Sequence, residues 1–217
     1  TDSPLKGKNF IFLGSSITKG FASYGKSFVD MIADRNDAVC VKEAVNGTTL
    51  VDKSDRSYIS RLKKISPDTP CDVFVCQLST NDAAKNSPLG AVAEGKDRDS
   101  FDTKTVCGAI EYIIAYVKET WNCPVAFYTN PQYNNERYAA MVDALGSIAA
   151  KWDIQVIDLW HNEEINQKCK KRLYKNDSIH PTRKGYAAWT PVFEQALSDI
   201  LAGREVAKGN AVALDPA

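Results

Sequence analysis

A surplus of charge is the first thing this sequence lacks: 27 Lys and Arg balance 27 Asp and Glu, giving a formal net charge of zero. Such a chain sets up no global field that draws in nucleic acid or an anionic membrane, so small-molecule substrates are the expected partners. Long apolar runs are missing too. None approaches the roughly 18 residues that span a bilayer, and no integral membrane segment is expected. Histidine is scarce, with two in the chain, and there is no C-x-x-C pair, so zinc spacing is absent. No metal or organic cofactor is expected. Six cysteines would suffice for three disulfides. Cys71 and Cys76, however, lie in or beside an apolar strand-like run and Cys107 in a helix-like one, so buried free thiols are the simpler account. The chain begins with Thr rather than Met, so a missing signal peptide carries no weight for compartment. The remaining balance leans towards a soluble, cytoplasmic protein over a secreted one, and oligomeric state stays open.

What is present is a regular alternation. At 217 residues the chain fits one domain of ordinary size over residues 1–217, with no composition shift that marks a second. Strands are expected at Phe10–Leu13, Val39–Val45, Val73–Leu78, Val125–Tyr128 and Ile154–Leu159, from runs rich in β-branched and aromatic residues. Helices are expected at Ser27–Asp34, Tyr58–Ile65, Thr103–Thr120, Glu136–Trp152 and Pro181–Leu201. Strands alternating with helices imply βαβ units and a parallel sheet covered on both faces. The fold class is therefore α/β, a three-layer α/β/α sandwich with a five-stranded parallel sheet in flavodoxin-like arrangement. Asn86–Ser100, with Pro88, Gly90, Gly95 and a charge cluster, reads as a loop that overhangs the strand ends as lid or substrate wall. The tail from Gly203 has no clear period and is expected to be partly disordered.

Open parallel sheets bind ligands beyond the carboxyl ends of their strands. The polar residues found there are Ser15 and Ser16 after the first strand, Asn46 and Gly47 after the second, and Asn81 and Asp82 after the third. Asp177 to His180 follow beyond the fifth. A serine, a histidine with a carboxylate beside it, and spare hydrogen-bond donors are the parts of acyl transfer through a covalent intermediate. The bland alternative is that the two serines cap the next helix. Both histidines sit three residues after an aspartate, in Asp158 to His161 and Asp177 to His180, and spacing alone does not choose between them.

These blocks resemble a known family. Gly14-Ser15-Ser16-Ile17-Thr18, Gly47, Thr80-Asn81-Asp82, and Asp177 with His180-Pro181-Thr182 and Gly185-Tyr186 are similar to the four signature blocks of SGNH, or GDSL-type, esterases and lipases. The resemblance runs from Phe10 to about Tyr186. It implies Ser16 as nucleophile, His180 as base and Asp177 as its orienting acid. It also implies an oxyanion hole from the backbone N–H groups of Ser16 and Gly47 and the side chain of Asn81. Two positions depart from the pattern: Ser15 stands where the family has Asp, and Ser79 where its third block opens with Gly. The implied activity is hydrolysis of carboxylic esters, with short acyl esters of a carbohydrate or similar alcohol ahead of lysophospholipase or thioesterase chemistry.

Two readings from other classes compete. Gly20 to Ser27 satisfies the phosphate-binding formula G-x-x-x-x-G-K-[ST]. That mechanism needs the first glycine directly after a strand, and here Ile17, Thr18 and Lys19 intervene, while Phe21 and Tyr24 obstruct a phosphate cradle. The other is a non-catalytic glycan-binding relic that stacks sugars on Tyr133, Trp160 or Trp189. A complete set of Ser16, Asn81, Asp177 and His180 argues for an enzyme.

Overall fold

The computed structural model describes residues 2–167, 173–175 and 177–207. The expected tail lies outside the described residues from 208 onward. Five strands form one all-parallel sheet: β1 (Asn9–Gly14), β2 (Val39–Ala44), β3 (Val73–Gln77), β4 (Val125–Tyr128) and β5 (Gln155–Ile157), in the order β2-β1-β3-β4-β5. The helices are α1 (Ser16–Lys19), α2 (Phe28–Asn36), α3 (Tyr58–Leu62), α4 (Thr80–Ala84), α5 (Val106–Trp121), α6 (Glu136–Trp152), α7 (Glu163–Gln167) and α8 (Arg183–Leu201).

The apolar runs become strands because both faces of the sheet are buried. In β1, Ile11 and Leu13 pack into the core shared with α3, α5 and α6, while Phe10 and Phe12 pack into the core shared with α2 and α8. Strands β3 and β4 divide the same way, Phe74, Cys76, Val125 and Phe127 on one side, Val73, Val75, Ala126 and Tyr128 on the other. On the second face Phe28 of α2 stacks on Phe193 of α8 with ring centroids 4.1 Å apart and meets Tyr128 edge-on. This cluster supports the carboxyl end of the sheet from below.

Capping decides several boundaries. Ser27 accepts from Val29 N–H while Asp30 accepts from Ser27 N–H, a reciprocal box that starts α2. Thr105 accepts from Gly108 N–H, so α5 begins at Val106 rather than Thr103. Strand β5 pairs with β4 over three positions only, which trims the expected Ile154–Leu159 run to its middle.

The strand order carries the functional consequence. The chain leaves β1 towards β2 on one side and returns across it to β3 on the other, so the connections at the carboxyl ends of β1 and β3 diverge and open a crevice. Ser16 follows β1 after the single residue Ser15, and Asn81 follows β3. Among the described residues no helix is long and apolar enough to cross a membrane.

Candidate active site

Ser16 opens α1, two residues past β1. Gly14 is required at the bend, because a Cβ there would lie 2.1 Å from Thr18 Oγ1 and 2.7 Å from Gln77 Oε1. That close approach lets Gln77, in the last position of β3, hold the turn from beneath. Its Oε1 accepts from Ser15 N–H at 2.9 Å, Thr18 Oγ1 at 2.7 Å and Thr18 N–H at 3.3 Å. Thr18 Oγ1 in turn lies 2.6 Å from Tyr128 OH, and Tyr186 OH donates to Ile17 O at 2.5 Å. The two serines then part company. Ser15 is fully buried and its Oγ accepts from Tyr58 OH at 3.1 Å. It occupies the N-cap position of α1 without making a side-chain cap bond. Ser16 Oγ lies 2.8 Å from His180 Nε2.

The histidine comes from a tight turn ahead of α8. Tyr174 and Pro181 pair as an isolated antiparallel bridge, and Lys175 N–H donates to His180 O at 2.7 Å. Ser178 takes the left-handed conformation at φ 61°, which folds Asp177 back under the imidazole. Asp177 Oδ2 is 2.6 Å from His180 Nδ1, and its Oδ1 accepts from the N–H groups of Ile179 at 2.9 Å and His180 at 3.0 Å. Partial burial pushes this carboxyl up. The two backbone N–H groups and the imidazole outweigh it, and the net shift is below the usual carboxylate range. With Nδ1–H donating to Asp177, Nε2 is left as the acceptor for the Ser16 hydroxyl. The Phe21 ring, half exposed, sits 5.1 Å from the imidazole and carries Lys175 Nζ 5.2 Å above it.

The loop after β2 forms the other bank of the crevice. Gly47 has φ +77°, a conformation that suits glycine. The loop is held by α4 and α3. Asn81 Nδ2 donates to Thr48 O at 2.9 Å, Lys85 Nζ to Gly47 O at 2.7 Å, and Asp82 Oδ2 accepts from Leu50 N–H at 2.7 Å. Burial pushes the Asp82 carboxyl up, an effect the Leu50 and Val51 N–H groups offset only in part. Arg61, itself buried, donates from Nη2 to Gly14 O at 2.9 Å and Thr48 Oγ1 at 3.0 Å, which ties this loop to the end of β1. Ser79, the residue in place of glycine, is fully buried; its Oγ accepts from Asn81 N–H at 3.0 Å and starts α4.

The structure thus joins Ser16, His180 and Asp177 in one hydrogen-bonded line and connects Asn81 to the Gly47 loop. Gln77, Tyr58, Arg61 and Lys85 are supports that the sequence did not single out; each lies within an ordinary apolar or amphipathic run. The second D-x-x-H repeats the local geometry, with His161 Nδ1 2.7 Å from Asp158 Oδ2. Among the described residues it has no serine partner; it lines a cavity of about 420 Å³ beside β5 and α6 instead. The Asn86–Ser100 loop is fastened to α5 and α6: Lys151 Nζ donates to Ala93 O and Gly95 O, both at 2.6 Å, and Ala93 N–H to Glu111 at 2.8 Å. None of these bonds reaches Ser16 or His180. The phosphate-loop formula dissolves as well, since Gly20 ends α1 rather than β1 and Lys26 pairs with Asp34 at 3.4 Å. Trp189 is core, and Tyr133 and Trp160 pack around Tyr138. Among the described residues no three His, Cys, Asp or Glu side chains gather as a metal site would require.

A five-stranded α/β/α sandwich with a serine and an Asp–His pair at its switch crevice defines the SGNH class of esterase- and lipase-type hydrolases. The chain belongs to the GDSL-like lipase/acylhydrolase family, whose pattern matches residues 12–188. Solved structures with the same fold include a lipase/acylhydrolase from Enterococcus faecalis, at 17% identity and TM-score 0.62, covering 88% of this chain and 95% of that one. A Bacteroides ovatus protein described as a GDSL-like lipase superposes at 20% identity and TM-score 0.64, covering 88% and 98%. A Lactobacillus plantarum protein does so at 18% identity and TM-score 0.70, covering 91% and 98%. No curated protein sequence matches the chain.

Proposed function

We propose that the protein is a serine esterase that works through an acyl-enzyme, with short acyl esters of a carbohydrate or similar alcohol as substrates. The observation that carries this reading is the unbroken line from Ser16 Oγ to His180 Nε2 at 2.8 Å and from His180 Nδ1 to Asp177 Oδ2 at 2.6 Å. In the acylation step His180 Nε2 takes the Ser16 proton as Oγ attacks the ester carbonyl carbon. Asp177 stabilises the imidazolium. The carbonyl oxygen becomes an oxyanion, received by Ser16 N–H, which starts α1 and has no intrahelical acceptor, by Gly47 N–H and by Asn81. Asn81 Nδ2 carries two hydrogens and spends one on Thr48 O, which keeps the other for the oxyanion. The imidazolium returns its proton to the leaving alkoxide. Water, deprotonated by His180, then attacks the acyl-enzyme and releases the acid and Ser16.

Phe21 supports an alcohol with an apolar face. Its half-exposed ring beside His180 offers a stacking wall next to the leaving group, as a pyranose would need. The test is hydrolysis of p-nitrophenyl acetate against longer acyl esters by wild type, Ser16→Ala and Ser15→Ala. Ser16→Ala is expected to lose about 10³-fold or more in kcat, while Ser15→Ala, whose hydroxyl is buried against Tyr58, keeps most of it. Full activity in Ser16→Ala sinks the assignment; a preference for long acyl chains moves the substrate to lysophospholipids or thioesters.

A further inference from the structure

At the other end of the sheet from Ser16, two thiols meet. Cys71 lies two residues before β3 and Cys123 two residues before β4, and their sulfurs are 3.6 Å apart. The neighbouring connections are fixed to one another, since Phe74 N–H donates to Pro124 O at 3.0 Å and Asp72 N–H to Asn9 O at 2.7 Å. Cys71 is half-buried and Cys123 is 9% exposed. The other described cysteines, Cys40, Cys76 and Cys107, have no such partner among the described residues.

We infer that Cys71 and Cys123 are an oxidisable dithiol, closed to an intramolecular disulfide by small-molecule disulfides of the glutathione type. Bond formation needs an Sγ–Sγ distance of about 2.05 Å, an approach of about 1.5 Å from the present contact. Both residues stand in irregular connections upstream of their strands, so side-chain rotation with a small backbone shift supplies it without disturbing a ladder. The pair is also polarised. Its mutual hydrogen bond pushes the Cys71 thiol up, and the same bond, with the Phe74 N–H, draws Cys123 down against the effect of burial. The Cys123 thiolate attacks one sulfur of the disulfide reagent and expels one small thiol. Cys71 then gives up its proton and displaces the second small thiol from that mixed disulfide, forming the Cys71–Cys123 bond. The protein loses two hydrogens and two electrons, and the reagent gains both as two thiols.

The bond ties together positions 52 residues apart. The enclosed stretch contains β3, Asn81, the Asn86–Ser100 loop and the whole of α5. Its effect falls on stability rather than catalysis, because it lies at the amino ends of the strands while Ser16 lies past a carboxyl end. For the test, the reduced full chain is incubated with oxidised glutathione, alkylated and mapped by mass spectrometry. Expected are a loss of two hydrogens, a cross-linked peptide pair joining Cys71 to Cys123, and a thermal midpoint raised by about 5 °C or more, with p-nitrophenyl acetate turnover unchanged. Cys71→Ser and Cys123→Ser each lose the rise. A stable glutathione adduct on uncross-linked wild type overturns the proposal, as does a cross-link mapping to any other pair. The wild-type map decides even where a serine variant fails to fold, and it reads independently of whether the ester is hydrolysed.

Discussion

Replacing Gln77 by Leu tests how Ser16, the proposed nucleophile, is held. Gln77 is buried at 1% exposure, and its Oε1 is the common acceptor for Ser15 N–H, Thr18 N–H and Thr18 Oγ1. Leucine fills a similar volume and accepts nothing. The Thr18 hydroxyl can turn towards Tyr128, 2.6 Å away, but the two backbone N–H groups are left without an acceptor. Each orphaned buried donor costs about 1–3 kcal/mol. Against this, the Gln77 Nε2 group is itself buried without a partner, and its removal returns about the same amount once. The net loss is therefore about 1–3 kcal/mol, which for a chain of this size lowers the thermal midpoint by about 2–12 °C. The turn that carries Ser16 loses its floor at the same time, and a displacement of about 1 Å in a reacting group lowers turnover by about 10²-fold. Thermal unfolding and p-nitrophenyl acetate kinetics on the same preparation read both effects, with the loss expected in kcat rather than KM. A Gln77→Leu enzyme with wild-type midpoint and wild-type kcat would refute the role given to this side chain.

Further outcomes separate the remaining parts. His180→Ala removes esterase activity and His161→Ala keeps most of it; the reverse pattern transfers the base to the Asp158 turn. Lys85→Met, which frees the Gly47 carbonyl, lowers kcat about 2- to 10-fold, and Lys85→Arg restores it, whereas equal losses in both variants exclude a tethering role for the cation. The Asp177 carboxyl is held below its ordinary value in the folded protein, so its stabilising contribution is complete above the unfolded Asp value of about 3.9 and fades as pH falls through the lower folded value. Thermal midpoints of wild type and Asp177→Asn should accordingly differ near neutral pH and converge in strong acid; a constant gap contradicts the depressed carboxyl.

Much of the fold was legible because burial on both faces leaves an unmistakable mark. The runs of β1 and β3 are apolar at nearly every position, and both strands are central in the sheet. The marks weaken at the edges. Strand β2 is half exposed along its length, and β5 keeps only three ladder positions, so their ends are set by pairing rather than by side-chain pattern. Helices α1 and α4 have four and five residues, too few for a period to show, and they start where turn geometry and a capping Ser79 put them. The serine, the histidine and the aspartate were found by their order along the chain. Geometry then separated Ser15 from Ser16 and the two D-x-x-H turns from each other, since a serine bonded to Tyr58 and one bonded to His180 read alike in one dimension. Gln77, Tyr58 and Arg61 escaped notice because a polar residue in an apolar stretch has the same appearance whether it fills space or steadies a nucleophile.

The replacement of an acid by Ser15 has a consequence for how the site responds to its surroundings. Beneath Ser16 lie a serine, a glutamine, a threonine and two tyrosines, and burial pushes the Tyr58 and Tyr128 hydroxyls well above the ordinary phenol range. That foundation is electrically silent. Its phenols hold their protons further into alkali than ordinary tyrosines, and it offers no fixed negative charge to oppose a developing alkoxide at Ser16. Charge reaches Ser16 from two sides: from Asp177 through His180, and from the buried Arg61 guanidinium through Gly14 O.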